Sequence, residues 1–441
     1  MYDVILYGAT GFTGRLVAAQ LARRAAASFP ELRWAIAGRN RERLDEVARS
    51  VCGGACGVVV GDADEAIAAQ ARVVISTAGP FSEVGSDLVA ACARLGRDYV
   101  DTTGETPWVR GLIDRHDDEA SASGALIVPL CGFDSVPSDL LARAAAERLL
   151  RECGARARRV RTYISMSGRT SGGTIETGIR LTRDFGEQFD DPYLLGGPPH
   201  RDDEDFASPR AEDVDVSIAS LDPVWGVWTA PFGMAKINTR VVRRSAALSL
   251  QRDGAASPYD PEFAYTEVAV AASERAATRA ATNAAIGHET LANLVGRGRL
   301  PKPGEGPTAS ERAAARYKFT AVAESAELLG IPLRRAVTVE GKDGGYEDTA
   351  AMVSEAALLL LDPAARDAMP RGGVLTPSIA FGAALRERIH EEGVVFDLKA
   401  PLPPSRAVVA AAVAAAAEEE EEGEADAGVD LLAAFAPTKG G

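Results

Sequence analysis

The sequence predicts an α/β protein, a Rossmann-type doubly wound parallel sheet followed by a second α+β domain, and three observations carry that prediction. The chain opens on an apolar strand, Tyr2–Tyr7, that runs directly into the turn Gly8-Ala9-Thr10-Gly11-Phe12-Thr13-Gly14 and a helical stretch. Strand-like and helix-like segments then alternate with short turns up to about residue 150, the pattern of parallel βαβ units. Beyond that point the pattern changes to longer alternating runs broken by a loop rich in Pro, Gly and Asp (Asp190–Asp215), as a separate α+β unit would show.

Element by element, the first strand is followed by a helix near Thr13–Arg24, a strand at Trp34–Ala37 and a helix at Arg41–Val51. Cys56–Val60, Arg72–Thr77 and Asp98–Val100 read as the next strands, with a helix at Trp108–Ser121 leading to a strand at Ala125–Pro129. In the second unit, Arg156–Ser167 and Ala235–Leu250 alternate like long antiparallel strands. Ala-rich Ala264–Gly296 reads as helical, Arg334–Gly341 as a strand and Tyr346–Leu361 as a helix. The expected domains are 1–135, 136–370, a C-terminal segment 371–406, and a tail 407–441 whose Ala run and Glu block predict disorder.

At 441 residues the chain is too long for one ordinary core. With 46% apolar and 25% charged residues it has a globular balance, and a net charge of −15 argues against a nucleic-acid binder. Six of the negative charges (Glu418–Glu422 and Glu424) sit in the tail. No apolar run reaches the roughly eighteen residues of a membrane helix. Strand residues begin at Tyr2, so no leader is expected, and reduced thiols in a cytoplasmic protein are the simplest reading of five cysteines. Cys52 and Cys56 have the spacing of a metal pair, but no second pair follows and the four histidines are scattered, so no metal site is expected.

The glycine turn points to a dinucleotide. Gly8 permits the tight turn, Gly11 the approach of a pyrophosphate to backbone, and Gly14 close packing of helix on strand. Thr10, Phe12 and Thr13 belong to the same turn, and the helix start supplies N–H groups for the phosphates. An NAD enzyme would place a carboxylate at the end of the second strand, whereas this chain has Gly38-Arg39-Asn40-Arg41. A guanidinium there suits a 2′-phosphate, so the expected cofactor is NADP and Arg39 its selector. Asp62 after the third strand, and Ala78, Gly79 and Pro80 after the fourth, lie at the carboxyl edge where ligands sit in open sheets.

With Ala78-Gly79-Pro80-Phe81, Tyr99-Val100-Asp101 with Gly104-Glu105, and Cys131-Gly132-Phe133-Asp134-Ser135-Val136-Pro137-Ser138-Asp139, the chain resembles the saccharopine dehydrogenase-like oxidoreductase family. Ser171-Gly172-Gly173-Thr174, Pro303-Gly304-Glu305-Gly306-Pro307 and Gly372-Gly373-Val374-Leu375-Thr376-Pro377 extend the likeness to about Leu398. Bacterial members of the family are trans-acting enoyl reductases of complex lipid synthesis. The resemblance implies NADP binding, return of C-terminal helices onto the first domain, and reduction of a lipid-linked carbon–carbon double bond. A saccharopine-type amino-acid dehydrogenase and a non-catalytic NADP(H)-binding protein are the alternatives. Peripheral association with a membrane or lipid droplet, and a homodimer, stay open.

No Ser–His–Asp set and no Tyr-x-x-x-Lys pair is visible, so proton donors are sought at the sheet's carboxyl edge. Glu105 and Asp134 meet that condition and are the catalytic candidates. Backbone N–H groups from Gly132 to Ser135 are candidates for polarising a carbonyl. Ser135 and Ser138 read as helix caps, Pro137 as a first-turn residue, Tyr99 as core with Asp101 beside the cleft, and Cys131 as a buried small hydrophobe. Trp225, Trp228, Phe232 and Met234 suit either an acyl channel or the core.

Overall fold

The computed structural model describes residues 1–197, 209–302, 304–328 and 330–404, so the tail from Ala407 lies outside the described residues. The first sheet takes up β1 (Tyr2–Tyr7), β2 (Trp34–Gly38), β3 (Gly57–Val60), β4 (Ala71–Ser76), β5 (Asp98–Asp101) and β6 (Leu126–Val128). Between them run α1 (Phe12–Ser28), α2 (Arg41–Ser50), α3 (Glu65–Ala68), α4 (Phe81–Val84), α5 (Ser86–Leu95) and α6 (Thr106–Ser123), and α7 (Val136–Cys153) follows. Strands such as β1 and β2 are apolar on consecutive positions because helices cover both faces of a parallel sheet, and Val4, Ile5 and Leu6 are fully buried. Helix α1 turns Gly14, Val17, Ala18, Leu21 and Arg24 inward, a stripe at helical spacing.

The second sheet begins with β7 (Ala157–Ser167), then α8 (Gly172–Asp190), β8 (Ser220–Leu221), β9 (Trp228–Pro231), α9 (Ala235–Asp253) and β10 (Tyr259–Ala271). After α10 (Glu274–Ala284), α11 (His288–Gly296) and α12 (Ala309–Ala314) come the hairpin strands β11 (Arg316–Leu328) and β12 (Ile331–Gly341). The chain closes with α13 (Thr349–Leu361), α14 (Pro363–Ala368), β13 (Gly373–Val374), α15 (Pro377–Ala380), α16 (Gly382–Glu391) and β14 (Val395–Asp397).

The first sheet has the order β13-β6-β5-β4-β1-β2-β3 and every pairing in it is parallel. Chain direction across the sheet reverses between β1 and β4, so a crevice opens beyond their carboxyl ends. The second sheet, β14-β12-β11-β7-β10-β9-β8, is mixed, with β7 and β10 parallel and the other neighbours antiparallel. The last segment serves both sheets: Gly373 pairs with Leu126 in the first and Asp397 with Thr338 in the second. Helix α1 is tied to α13 by the ion pair of Arg24 with the fully buried Glu355 at 2.6 Å. No helix among the described residues is long and apolar enough to cross a membrane.

Two elements differ from expectation. Ala235–Leu250 is not a strand but most of helix α9, and its arginines explain the misreading. Arg240 and Arg243 are buried, binding the carbonyls of Asp191 and Pro192 and the carboxylates of Asp215 and Asp213. A helix with charged side chains turned inward hides the polar-out period on which its recognition depends. Residues 264–271 are strand rather than helix, because β10 is a central strand whose sheet context overrides the helix preference of alanine. The sequence reading also lacked β11, an inner strand of the second sheet that is buried without a break from Phe319 to Ala323 and so shows no alternation.

Candidate functional site

The glycine turn follows β1 at the reversal point. Gly8 has φ +88°, and a Cβ there would stand 2.8 Å from the Ala78 nitrogen, so the close approach of the β1 and β4 ends requires glycine. A Cβ on Gly14 would stand 2.2 Å from the Gly8 oxygen, so this glycine lets α1 pack on the turn. Gly11 differs. Its φ of −74° suits any residue, and a Cβ would meet only the Gly8 oxygen, at 3.4 Å. It caps α1 without a side-chain hydrogen bond, and the first turn holds no acidic residue. The helix therefore presents its first N–H groups and positive dipole end to the crevice.

A cleft of about 590 Å³ follows, lined among others by Gly8, Thr10, Gly11, Ala78, Gly79 and, at its far end, Arg39 and Asp62. Arg39 is exposed and makes no ion pair among the described residues. These residues fit a dinucleotide: the open helix end suits the pyrophosphate and the free guanidinium suits a phosphate on the ribose. Arg39→Ala is expected to weaken NADPH binding by about 1.5–3 kcal/mol and leave NADH binding nearly unchanged, measured by paired titrations. Phe12 sits at the same helix start, but its ring packs edge-on against Tyr346 at 5.2 Å and pins the turn to the second part of the chain.

Two further clefts continue inward. One, of about 330 Å³, shares Gly11 and Gly79 with the first and adds Phe12, Thr13, Pro80, Glu105 and Asp134. The other, of about 190 Å³, shares Thr13 and Asp134 with it, is lined by Met234, Tyr317 and Tyr346, and opens to solvent past the exposed Met166. One path thus leads from Arg39 to Tyr317, with the first sheet's carboxyl edge on one side. Asp134 stands where the two inner clefts meet. Gly14 does not line the path.

Glu105 is almost fully buried and accepts from Phe81 N at 2.8 Å and Ser82 N at 2.9 Å. With both carboxylate oxygens committed, it holds the turn after Pro80, and that use competes with service as a proton donor. Glu105→Ala leaves two N–H groups unpaired, so a loss of about 2–4 kcal/mol in denaturant unfolding is expected. Asp101 lies beneath, fully buried, accepting from Thr103 N at 3.0 Å and Leu130 N at 2.9 Å, and burial pushes its carboxyl up to about 7. It ties the β5 and β6 loops together and does not line the path.

Asp134 is held from the side. Its neighbour Phe133 donates its N–H to Thr349 Oγ1 at 3.0 Å and stacks edge-on against Tyr317 at 4.7 Å. Asp134 itself is half-buried, and its Oδ1 is enclosed with no hydrogen-bond partner. Burial pushes its carboxyl up to about 6.

Several expectations change here. The N–H groups of Phe133 and Ser135 are spent on Thr349 Oγ1 and the Leu130 oxygen, so two of the four proposed carbonyl-polarising donors are committed. Ser135 takes the N-cap position of α7 with Pro137 in the first turn, yet its hydroxyl makes no capping bond. Ser138 is buried beyond the helix start. Tyr99 is core, and burial pushes the Cys131 thiol up, as suits a small hydrophobe. Of the four residues proposed for an acyl channel, only Met234 lines the path. Trp225 packs in a small cluster with Tyr163 and Val268, and Phe232 packs on Phe319.

The sequence reading missed Tyr317, Tyr346 and Thr349. A signal for Tyr346 was the Gly344-Gly345 pair just after β12: a Cβ on Gly344 would stand 2.3 Å from the Phe133 ring. Among the described residues no group of three or more His, Cys, Asp or Glu side chains could hold a metal ion.

Residues 4–128 match the family model of the saccharopine dehydrogenase NADP binding domain. A relative from Mycobacterium tuberculosis is 36% identical over 425 residues, covering 89% of this chain and 96% of its own, and is named for trans-acting enoyl reduction. The trans-acting enoyl reductase of Mycobacterium leprae is 35% identical over 422 residues, covering 89% of this chain and 97% of its own. The solved saccharopine dehydrogenase (L-Glu forming) of Saccharomyces cerevisiae is 14% identical, covers 89% of this chain and 97% of its own, and aligns with a TM-score of 0.47.

Proposed function

The chain belongs to the saccharopine dehydrogenase-like oxidoreductases and carries their NADP-binding domain, and from that premise we propose that it reduces the carbon–carbon double bond of an enoyl thioester or similar lipid-type substrate. The observation that carries the reading is the path itself. The cleft that fits the dinucleotide runs on to a half-buried acid with an unpartnered oxygen, and past it to walls of Phe133, Met166, Met234 and Tyr317.

NADPH in such a cleft supplies a hydride to an electron-poor carbon. The residues of the chain supply the rest. Asp134 keeps its proton up to about pH 6 and is placed to deliver it to the neighbouring carbon of the substrate. Phe133 and Thr349 fix its backbone.

An amino-acid dehydrogenase acting on a dicarboxylate would need convergent cations. Arg169 is paired with Glu311 at 3.2 Å, leaving Lys342 as the inner-cleft cation without a carboxylate partner among the described residues. The acyl reading is therefore the better supported. Incubation with NADPH and 2-enoyl thioesters of increasing chain length should consume cofactor. If saccharopine-type substrates alone consume it, the amino-acid reading replaces this one, and if neither does, a non-catalytic NADP(H)-binding role replaces both.

A further inference from the structure

The turn between α2 and β3 brings two of the five cysteines together. Cys52 is buried in the first-sheet core beside Val47 and Ala48, whereas Cys56 is half-buried at the start of β3. Between them Gly53 and Gly54 have φ of +59° and +78°, and the Ala55 N–H closes the turn on the Cys52 oxygen at 3.0 Å. No atom lies within 4 Å of where a Cβ would stand on either glycine, so crowding does not explain them. Their left-handed backbone does, since it folds the chain back and brings the Cys52 and Cys56 side chains to the same side of the turn, close enough to influence each other's ionisation. Two neighbouring cysteines on a chain reversal, one buried and one half-buried, have the arrangement that thiol–disulfide exchange uses.

We propose that Cys52 and Cys56 are a reversible redox modification site, with Cys56 the attacking thiol and Cys52 the resolving one, and a small-molecule disulfide of the glutathione type as oxidant. The Cys52 hydrogen bond holds the Cys56 thiol below the ordinary range, which favours its thiolate. That thiolate attacks one sulfur of the oxidant, forming a mixed disulfide and expelling one thiolate. Cys52 then gives up its proton, and its sulfur attacks Cys56 Sγ and expels the second thiol. The protein loses two hydrogens and the oxidant is reduced to two thiols. Hydrogen bonding to Cys56, and then burial, hold the Cys52 thiol up, and the first of these causes lapses once Cys56 is in the mixed disulfide. Cys92 and Cys131 are fully enclosed with thiols pushed up by burial, which sets them apart from the pair.

The test treats the reduced full-length protein with oxidised glutathione, denatures it in alkylating reagent and maps the peptides by mass spectrometry. The expected result is five alkylated cysteines before oxidation and three after, with Cys52 and Cys56 joined within one peptide and restored by dithiothreitol. In Cys52→Ser the glutathione adduct should persist on Cys56. Five alkylated cysteines after oxidation, a stable adduct on Cys56 in the unaltered chain, or a bridge formed by another pair would overturn the proposal.

Discussion

Gly11→Val should abolish NADPH binding and leave the fold standing. The dissociation constant is expected to rise at least a hundredfold, about 2.8 kcal/mol. The valine Cβ would meet only the Gly8 oxygen, at 3.4 Å, so the side chain enters the crevice that suits the pyrophosphate instead of the core. Valine is a poorer N-cap than glycine, which costs about 1 kcal/mol, so Tm should drop by no more than about 4 °C. Gly14→Val is the control with the opposite outcome. Its Cβ would lie 2.2 Å from the Gly8 oxygen, and the helix cannot keep its place on the turn. Thermal unfolding and NADPH fluorescence titration on the pair separate the two roles, and retained fluorescence enhancement in Gly11→Val would put the cofactor elsewhere.

Asp134→Asn should remove most of the turnover while leaving NADPH binding intact. Loss of a positioned proton donor is expected to lower kcat about 10²–10⁴-fold. The pH profile tells an acid from a scaffold. Burial raises the Asp134 carboxyl from 3.8 to about 6, so the acid form persists below that pH and turnover should fall as pH rises through it. The asparagine variant should show a low, flat profile. Stability gives an independent readout with its own sign. Between about pH 4 and pH 6 the unfolded chain has already released the proton that the folded one retains, so this group makes the fold less stable as pH rises through that window. Asparagine has no charge to bury, and the variant should gain on the unaltered protein at pH 8 relative to pH 4.

The parts legible in the sequence were those governed by local rules. Strands β1, β2 and β4 are covered by helices on both faces, so apolar residues stand at consecutive positions in them (residues 4–6, 34–37 and 73–75), and Gly8 and Gly14 mark a turn that larger residues cannot make. Asp134 was legible because it lies in the loop after β6, at the carboxyl edge where an open parallel sheet leaves its crevice. What stayed hidden depends on distant partners. Glu105 is committed to the N–H groups of Phe81 and Ser82, more than twenty residues earlier. Thr349, Tyr346 and Tyr317 come to the neighbourhood of Asp134 from about two hundred residues downstream, Tyr317 on the unrecognised strand β11, Tyr346 just before α13 and Thr349 at its start. Helix α9 was lost for a related reason, since buried Arg240 and Arg243 are stable only because carbonyls and carboxylates of the preceding segment surround them.

If the path from Arg39 to Asp134 serves reduction of an enoyl carbon by NADPH, the fate of the transferred hydrogen reveals it. The purified protein is incubated with NADPH deuterated at C4 on either face and with a 2-enoyl thioester, and the product is analysed by mass spectrometry. One deuterium is expected at the β-carbon for each NADPH consumed, from one face only, with the hydrogen at the α-carbon drawn from solvent. Transfer of the label only to the carbon of an imine formed from a keto acid and an amine would contradict it, as would tight NADPH binding with no label leaving the cofactor.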